Sequence, residues 1–365
     1  MIPLSIARIA EIVGGELHDV ADPTVLVAGP VEFDSRKVTP GSVFLALPGA
    51  KVDGHEHAAD AVAAGAAVVL AARPVGVPAV VVRPAPHSSR AMALEHDPEG
   101  TGAAVLTALG ALARESVLEL TARHDLTVVG VTGSSGKTST KDLISAVLRP
   151  LGSVVAPPGS FNNELGHPWT ALRADSDTDF LALELSARGI GHIAELARLA
   201  PPRIGVVLNV GTAHLGEFGS RAAIALAKGE LVEALPAAAD GGVAILNIDD
   251  RLVAEMATRT KAAVVTVGLN ADADVRAVDV VVDTDARASF TLVCAAGSAH
   301  ITLAVHGEHQ VGNALAAAAV ALECGAGVAQ VAEALSTAVP TSIRRMDVRT
   351  RADGVTVIND SYNAN

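Results

Sequence analysis

Aromatic side chains are almost missing: one Trp, one Tyr and six Phe make up 2% of 365 residues. A core with so few rings has to be built from small, close-packed side chains, here Ala, Val and Leu. The 50% hydrophobic content is ample for that and excludes a disordered chain. Cysteine is scarce as well. Cys294 and Cys324 form no CxxC spacing, which excludes a disulfide framework and a cysteine zinc site. Two buried, reduced thiols are the expectation. Positive charge is in deficit, with 27 Lys and Arg against 40 Asp and Glu and a net charge of -13. Such a surface disfavours nucleic acid and anionic membranes but leaves room for a local basic cleft. Long apolar runs are missing too: the uncharged stretch from Ala61 to Ala72 falls short of the ~18–20 residues that span a bilayer. The N-terminus MIPLSIARIAEIVGG has no basic lead followed by a long apolar run, so it does not read as a signal peptide. A soluble, cytoplasmic protein without membrane insertion is expected.

What is present is an α/β pattern in two or three parts, as the length prior of ~100–200 residues per domain suggests. Residues 1–99 read as a small α/β domain. Leu4, Ile6, Ile9, Ala10 and Val13 recur at helical spacing, and Gly14-Gly15 stops that helix. Strand-like VFLAL, AVVLA and AVVV follow, with helix-like HEHAADAVAAG between the first two. Part of the Pro-, Gly- and His-rich segment from Arg83 to Gly102 reads as the boundary. Residues 100–339 alternate long strands and helices: GAAVLTALGALARESVLEL, LTVVGVT, KTSTKDLISAVL, FLALELS, HIAELARLA, IGVVLNV, a helix near Arg221–Leu235, GVAIL and AAVVTVG. Continuous Val, Ile and Leu runs separated by helices predict a mostly parallel sheet buried on both faces. Strands without intervening helices from Val275 to Val305 predict an antiparallel patch. Residues 340–365 carry a strand pair, DVRT and GVTVIND, then DSYNAN, and read as the entry to a further domain.

The strongest local signal is GVTGSSGKTSTKDL, where a buried strand runs into Gly133, Ser134, Ser135, Gly136, Lys137, Thr138 and Ser139 and a helix follows. Glycines allow close backbone approach, exposed N–H groups and a helix N-terminus face phosphate oxygens, Lys137 neutralises the β/γ-phosphates and the Thr138 hydroxyl can bind Mg²⁺. The order GxxxxGK[ST] is met except at Val131, where the pattern wants Gly. By itself this loop indicates a nucleoside triphosphate and does not separate a kinase, a switch or a ligase.

Other candidates sit at strand ends, where ligands gather in open α/β sheets. Glu184, which ends FLALELS with Ser186, is either a hard-metal ligand or a capping or paired carboxylate. His214, in NVGTAHLGEFGS, is a metal ligand or a hydrogen-bonded loop residue. Asn162 and Asn163, in PPGSFNNELGHP, are nucleotide contacts or turn residues. Lys228, within IALAKGELVEAL, is a snorkelling lysine or a desolvated amine open to carbamylation by CO₂. In HGEHQVGNALAA, His309 can stack on a base and Asn313 can read an adenine edge, or they cap a helix. Arg344 and Arg345 can clamp a phosphate or remain surface cations. Asp360 can bind ribose hydroxyls or serve a turn.

Taken in chain order, GVTGSSGKTS, SFNNELGHP, LELSARGIGHI, NVGTAHLGEFGS with KGE, HGEHQVGNALAA and the run from RRMDV to INDSYNAN resemble the Mur ligase family, ATP-dependent amide ligases of peptidoglycan precursor synthesis. Within the family, the DSYNAN ending is similar to members that add D-alanyl-D-alanine to UDP-N-acetylmuramoyl-tripeptide. EFDSRKVTPGSVFLALPG resembles their UDP-sugar domain, shared with the sister ligase that adds the preceding amino acid. The resemblance implies a small UDP-sugar domain, a central P-loop ATPase domain and the start of a C-terminal Rossmann-like domain, the rest of which is not in this sequence. It implies Ser35 and Arg36 near the UDP-sugar, and Thr138, Glu184, His214 and a carbamylated Lys228 around two Mg²⁺ ions. It further implies Asn163, His309 and Asn313 at the nucleotide, Arg345 at the γ-phosphate, Asp360 at the ribose, and a monomer. Two alternatives stand beside this: the sister ligase, and a nucleotide-binding regulatory module without ligase chemistry.

Overall fold

The computed structural model describes residues 1–49, 52–84, 94, 97–212, 215–339, 341–342 and 344–362. The chain forms two compact units. One is Met1–Leu126 with Asn162–Asp177, the other Thr127–Phe161 with Thr178–Asn365.

In the first unit, Ser5 caps the helix Ile6–Val13 by accepting from Arg8 N–H, and Gly14 ends it in the left-handed region at φ 64°. A five-stranded sheet runs in the order Glu16–His18, Ala79–Val81, Val68–Ala71, Val43–Leu45, Val31–Glu32. The first pair is antiparallel and the others parallel. The chain's single Trp packs here. Trp169 Nε1 donates to Val31 O at 2.7 Å, Phe33 meets its ring edge-on at 5.8 Å, and Arg173 lies 5.1 Å over it.

Compactness divides the chain differently from the sequence pattern, which begins the central domain at residue 100. The helix Thr101–His124 packs on Ile6–Val13, on the short helix Gly166–Ala171 and on the strand Val68–Ala71. It therefore belongs with the first unit. Asp97 caps its start, accepting from Ala103 N–H at 2.8 Å and Thr101 Oγ1 at 3.0 Å. Periodicity identifies such an apolar helix but not the surface that buries it. Much of Arg83–Gly102 lies outside the described residues.

The second unit is built on a nine-stranded sheet. Its order is Gly297–His306, Arg287–Cys294, Val275–Val282, Ala263–Gly268, Val243–Asn247, Ile204–Val207, Thr127–Thr132, Phe180–Glu184, Val154–Val155. Seven neighbouring strands are parallel, and the two at the Gly297 edge are antiparallel, as the helix-free stretch predicts. Both faces are buried. Ile204, Val206, Val243 and Ile245 join one core with Leu143, Ile144 and Leu315, while Val207, Ala244 and Leu246 join another with Ile193, Ile224 and Leu231. That two-sided burial is why these strands read as unbroken apolar runs. Cys294 and Cys324 are free and half-buried rather than fully buried, because both end their elements at the margin of the core.

Two paired glycines set how one helix seats. Gly130 lies opposite Gly205 in the sheet. A Cβ on Gly130 would meet Leu231 Cδ1 at 3.2 Å, and one on Gly205 would meet Leu235 at 3.1 Å. The helix Arg221–Glu233 can press on the sheet only because that spot is bare, and Lys228 rides on it. The strand Thr127–Thr132 has Phe180–Glu184 on one side and Ile204–Val207 on the other. It marks the point where strand order reverses, so its C-terminal end opens the crevice where open α/β sheets bind ligands.

Candidate active site

The glycine loop leaves that strand end. Val131, the departure from the loop pattern, is a fully buried strand residue, so the position serves the sheet and not the phosphate cradle. Gly136 adopts φ 82° and starts the helix Lys137–Leu148. Lys137 Nζ donates to Gly133 O at 2.8 Å. Burial holds the Lys137 ammonium below the usual lysine range and neighbouring Arg345 adds to that, while the Glu184 carboxylate opposes it.

Thr138 is the hub. Its hydroxyl lies 2.7 Å from Ser160 Oγ and donates to Glu184 Oε2 at 3.3 Å. Arg345 Nη2 donates to Thr138 Oγ1 at 3.3 Å and to Ser160 Oγ at 3.1 Å. The face of Arg345 stacks on Tyr362 at 4.7 Å. Glu184 is fully buried at its strand end. Ser160 opens the SFNNELGHP segment, but the candidates read from that segment are Asn162 and Asn163.

Lys228 is 6% exposed, so it does not snorkel. Among the described residues it has neither a hydrogen-bond nor an ion-pair partner. Burial, reinforced by the positive charge of Lys137, pulls its pKa down to about 7. The next residues of KGE point elsewhere. Gly229 leaves space for Arg259, which donates to Ala225 O and Leu226 O. Buried Glu230 accepts from Gly191 N–H at 2.6 Å and Ala194 N–H at 3.0 Å, capping the helix His192–Leu199 that follows the Glu184 strand.

Asn209 binds the loop directly. Its Oδ1 accepts from the N–H groups of Ser134 and Ser135, both at 3.0 Å, and its Nδ2 donates to Ser135 O at 3.2 Å. Ser134 Oγ in turn accepts from Gly211 N–H at 2.9 Å. His214, three residues beyond Gly211, lies outside the described residues.

The base-reading candidates are placed unevenly. Asn313, 6% exposed, donates to Gln310 Oε1 of its own helix at 2.9 Å, and its Oδ1 lies close against Gly136. His309 starts its helix without a side-chain cap bond and is exposed. A small cleft next to its helix start is lined by Ser139, Asp142, Leu143, Gln310, Arg345 and Met346. Asp360 Oδ1 accepts from Met346 N–H at 3.1 Å, closing the base of the hairpin Asp347–Thr350 and Thr356–Asn359. Arg344 is exposed.

Asn163 belongs to the first unit, where its Oδ1 accepts from Gly166 N–H at 2.9 Å and starts the helix Gly166–Ala171. Ser35 opens the short turn Ser35–Lys37. Arg36 grips Asp34 with two bonds of 2.8 Å, which hold the Asp34 carboxyl down at about 2.

The description "Mur ligase middle domain" matches residues 131–321, and "Mur ligase family, catalytic domain" matches residues 30–115. The chain belongs to the Mur ligase family. It is 61% identical to the UDP-N-acetylmuramoyl-tripeptide--D-alanyl-D-alanine ligase of Mycobacterium tuberculosis, covering 100% of this chain and 72% of that protein. Among solved structures, MurF from Acinetobacter baumannii superposes with a TM-score of 0.83 at 30% identity, covering 100% of this chain and 74% of that one. The MurF ligase of Thermotoga maritima in complex with ADP gives 0.71 at 29% identity, covering 93% and 72%. The α/β Mur ligase architecture expected from the sequence is the one observed. Among the described residues, no helix is long and apolar enough to cross a membrane.

Proposed function

We propose that this chain performs the ATP-dependent, ADP-forming joining of D-alanyl-D-alanine to UDP-N-acetylmuramoyl-tripeptide in peptidoglycan precursor synthesis. The observation that carries this is the 61% identity, over the whole chain, to the relative bearing that name. The tripeptide carboxylate attacks the γ-phosphorus of ATP, giving an acyl phosphate and ADP, and the dipeptide amine then displaces phosphate. Phosphoryl transfer asks for positioning and charge neutralisation. Lys137 and Arg345 supply positive charge in an otherwise acidic protein, and the N–H groups at the start of the helix Lys137–Leu148 face the phosphates.

Mg²⁺ suits the donor set, which is made of hard oxygens: Thr138 Oγ1 beside Glu184 Oε2. Among the described residues, no three His, Cys, Asp or Glu side chains cluster to hold a metal. Carbamylated Lys228 offers a further oxygen ligand, since an amine with a pKa of about 7 is nucleophilic toward CO₂ near neutrality. His214 would complete the set. Two Mg²⁺ ions so held would neutralise charge on the transferring phosphoryl group.

His309 and Asn313 are assigned to the adenine, Asp360 to the ribose, Asn163 to the nucleotide, and Ser35 with Arg36 to the UDP-sugar. These assignments rest on the motifs. Residues 340–365 are read as the entry to the C-terminal ligase domain, and the enzyme as a cytoplasmic monomer.

ADP release, measured with tripeptide precursor and D-alanyl-D-alanine together and with each alone, tests the reading. Release that needs both is expected. Release of equal rate without an amine would instead indicate a nucleotide-hydrolysing regulator, and a preference for a single amino acid would indicate the sister ligase.

A further inference from the structure

One helical turn beyond Lys137, Lys141 is 2% exposed. A buried ammonium carries three N–H donors and is retained only where all of them are met. Lys141 Nζ pairs with Asp142 Oδ1, donates to Pro157 O at 2.9 Å and reaches Ser342 Oγ at 3.4 Å. Asp142 Oδ2 also accepts from Ser342 N–H at 3.0 Å. Pro157 stands three residues before Ser160, and Ser342 three residues before Arg345. Ser160 and Arg345 are the two residues that converge on the Thr138 hydroxyl. One cation on the loop helix thus anchors both incoming segments at equal distance from their working ends, 16 and 201 residues away in sequence.

We infer that Lys141 and Asp142 are a positioning pair, which holds Arg345 and Ser160 in register with Thr138 for phosphoryl transfer. This rests on the reading that Arg345 serves the γ-phosphate. Lys141 does not line the cleft beside Arg345, whereas Asp142 borders it. Both act through the segments they hold, and a displacement of about 1 Å at a charged contact is enough to cost a large factor in rate.

The test is Lys141→Met in the full-length enzyme, alone and with Arg345→Ala. Amide formation and ADP affinity are both measured. A fall in kcat of roughly tenfold to a hundredfold is expected, with ADP affinity held within about twofold because ADP lacks the γ-phosphate. The same substitution should cost far less in the Arg345→Ala background. Asp142→Asn keeps the shape and the bond from Ser342 N–H, so it serves if Lys141→Met does not fold; its expected loss in kcat is about threefold, again without loss of ADP affinity. Undiminished kcat, an equal loss in the Arg345→Ala background, or a parallel fall in ADP affinity would overturn the inference. Full activity of Arg345→Ala alone would remove the reading beneath it.

Discussion

The side-chain oxygen of Asn313 occupies the place where any other residue at 136 would put its first carbon: a Cβ on Gly136 would lie 2.6 Å from Asn313 Oδ1. Gly136 also sits at φ 82°, a conformation that costs an L-residue about 1–2 kcal/mol. Gly136→Ala should therefore destabilise the second unit by about 2 kcal/mol or more and weaken nucleotide binding. Denaturant unfolding and ADP titration calorimetry read the two effects. The double variant with Asn313→Gly should recover part of the stability, since it removes the collision and leaves only the backbone strain.

Lys137→Ala removes the loop's cation while leaving its helix start intact. Loss of such a preorganised charge typically costs about 10²–10³ in rate. Amide formation should fall by that order with circular dichroism and melting temperature nearly unchanged. Normal turnover would show that the loop does not hold the triphosphate.

Lys228 carries the clearest pH signature. Its pKa in the folded protein is about 7, against about 10.4 in an unfolded chain. Between these values the unfolded state binds more protons, so stability rises with pH across that window, and the cost of burying the amine is full below pH 7. In CO₂-free buffer, Lys228→Met should raise the melting temperature more at pH 6 than at pH 9. Lys228→Ala should abolish ligase activity, with partial rescue by added short carboxylic acids. An unmodified amine lying clear of any metal in a holoenzyme crystal structure would count against carbamylation.

Asn209 ties Ser134 and Ser135 to the end of the neighbouring strand through four side-chain hydrogen bonds and a main-chain one. Asn209→Ala leaves the Ser135 N–H to find another partner, while the Ser134 N–H keeps the main-chain oxygen of residue 209. A loss of about 1–3 kcal/mol in transition-state stabilisation is expected, roughly a fivefold to hundredfold fall in kcat/KM for ATP. Steady-state kinetics at varied ATP would reveal it, and an unchanged KM and kcat would make Asn209 dispensable.

Trp169 is the chain's only tryptophan, so fluorescence excited selectively at tryptophan reports on the first unit. Trp169→Phe strands the Val31 carbonyl and loosens the contacts with Phe33 and Arg173. It should cost about 1–3 kcal/mol in the unfolding of that unit, read by circular dichroism, while ADP affinity stays unchanged.

Much of this protein is legible in the linear chain because the relevant physics is local. Strand, glycine turn, Lys-Thr and helix are consecutive from Thr127 to Leu148, so the phosphate loop is written in adjacent residues. Two-sided burial turns the parallel strands into unbroken apolar runs, and the helix-free stretch after Val275 announces its antiparallel edge. Tertiary structure alone decided the rest. Ser160, Asn209, Glu230 and the Lys141–Asp142 pair act on partners 16 to 201 residues away, and no spacing rule connects such distances. The helix Thr101–His124 could be seen as a helix, but only packing shows that it closes the first unit. Lys228 and Asn313 make the same point: burial pulls down the pKa of one, and Gln310 of the same helix takes up the amide of the other. Periodicity determines which faces are apolar; the free energy of a buried charge or a close contact depends on what the fold brings against it.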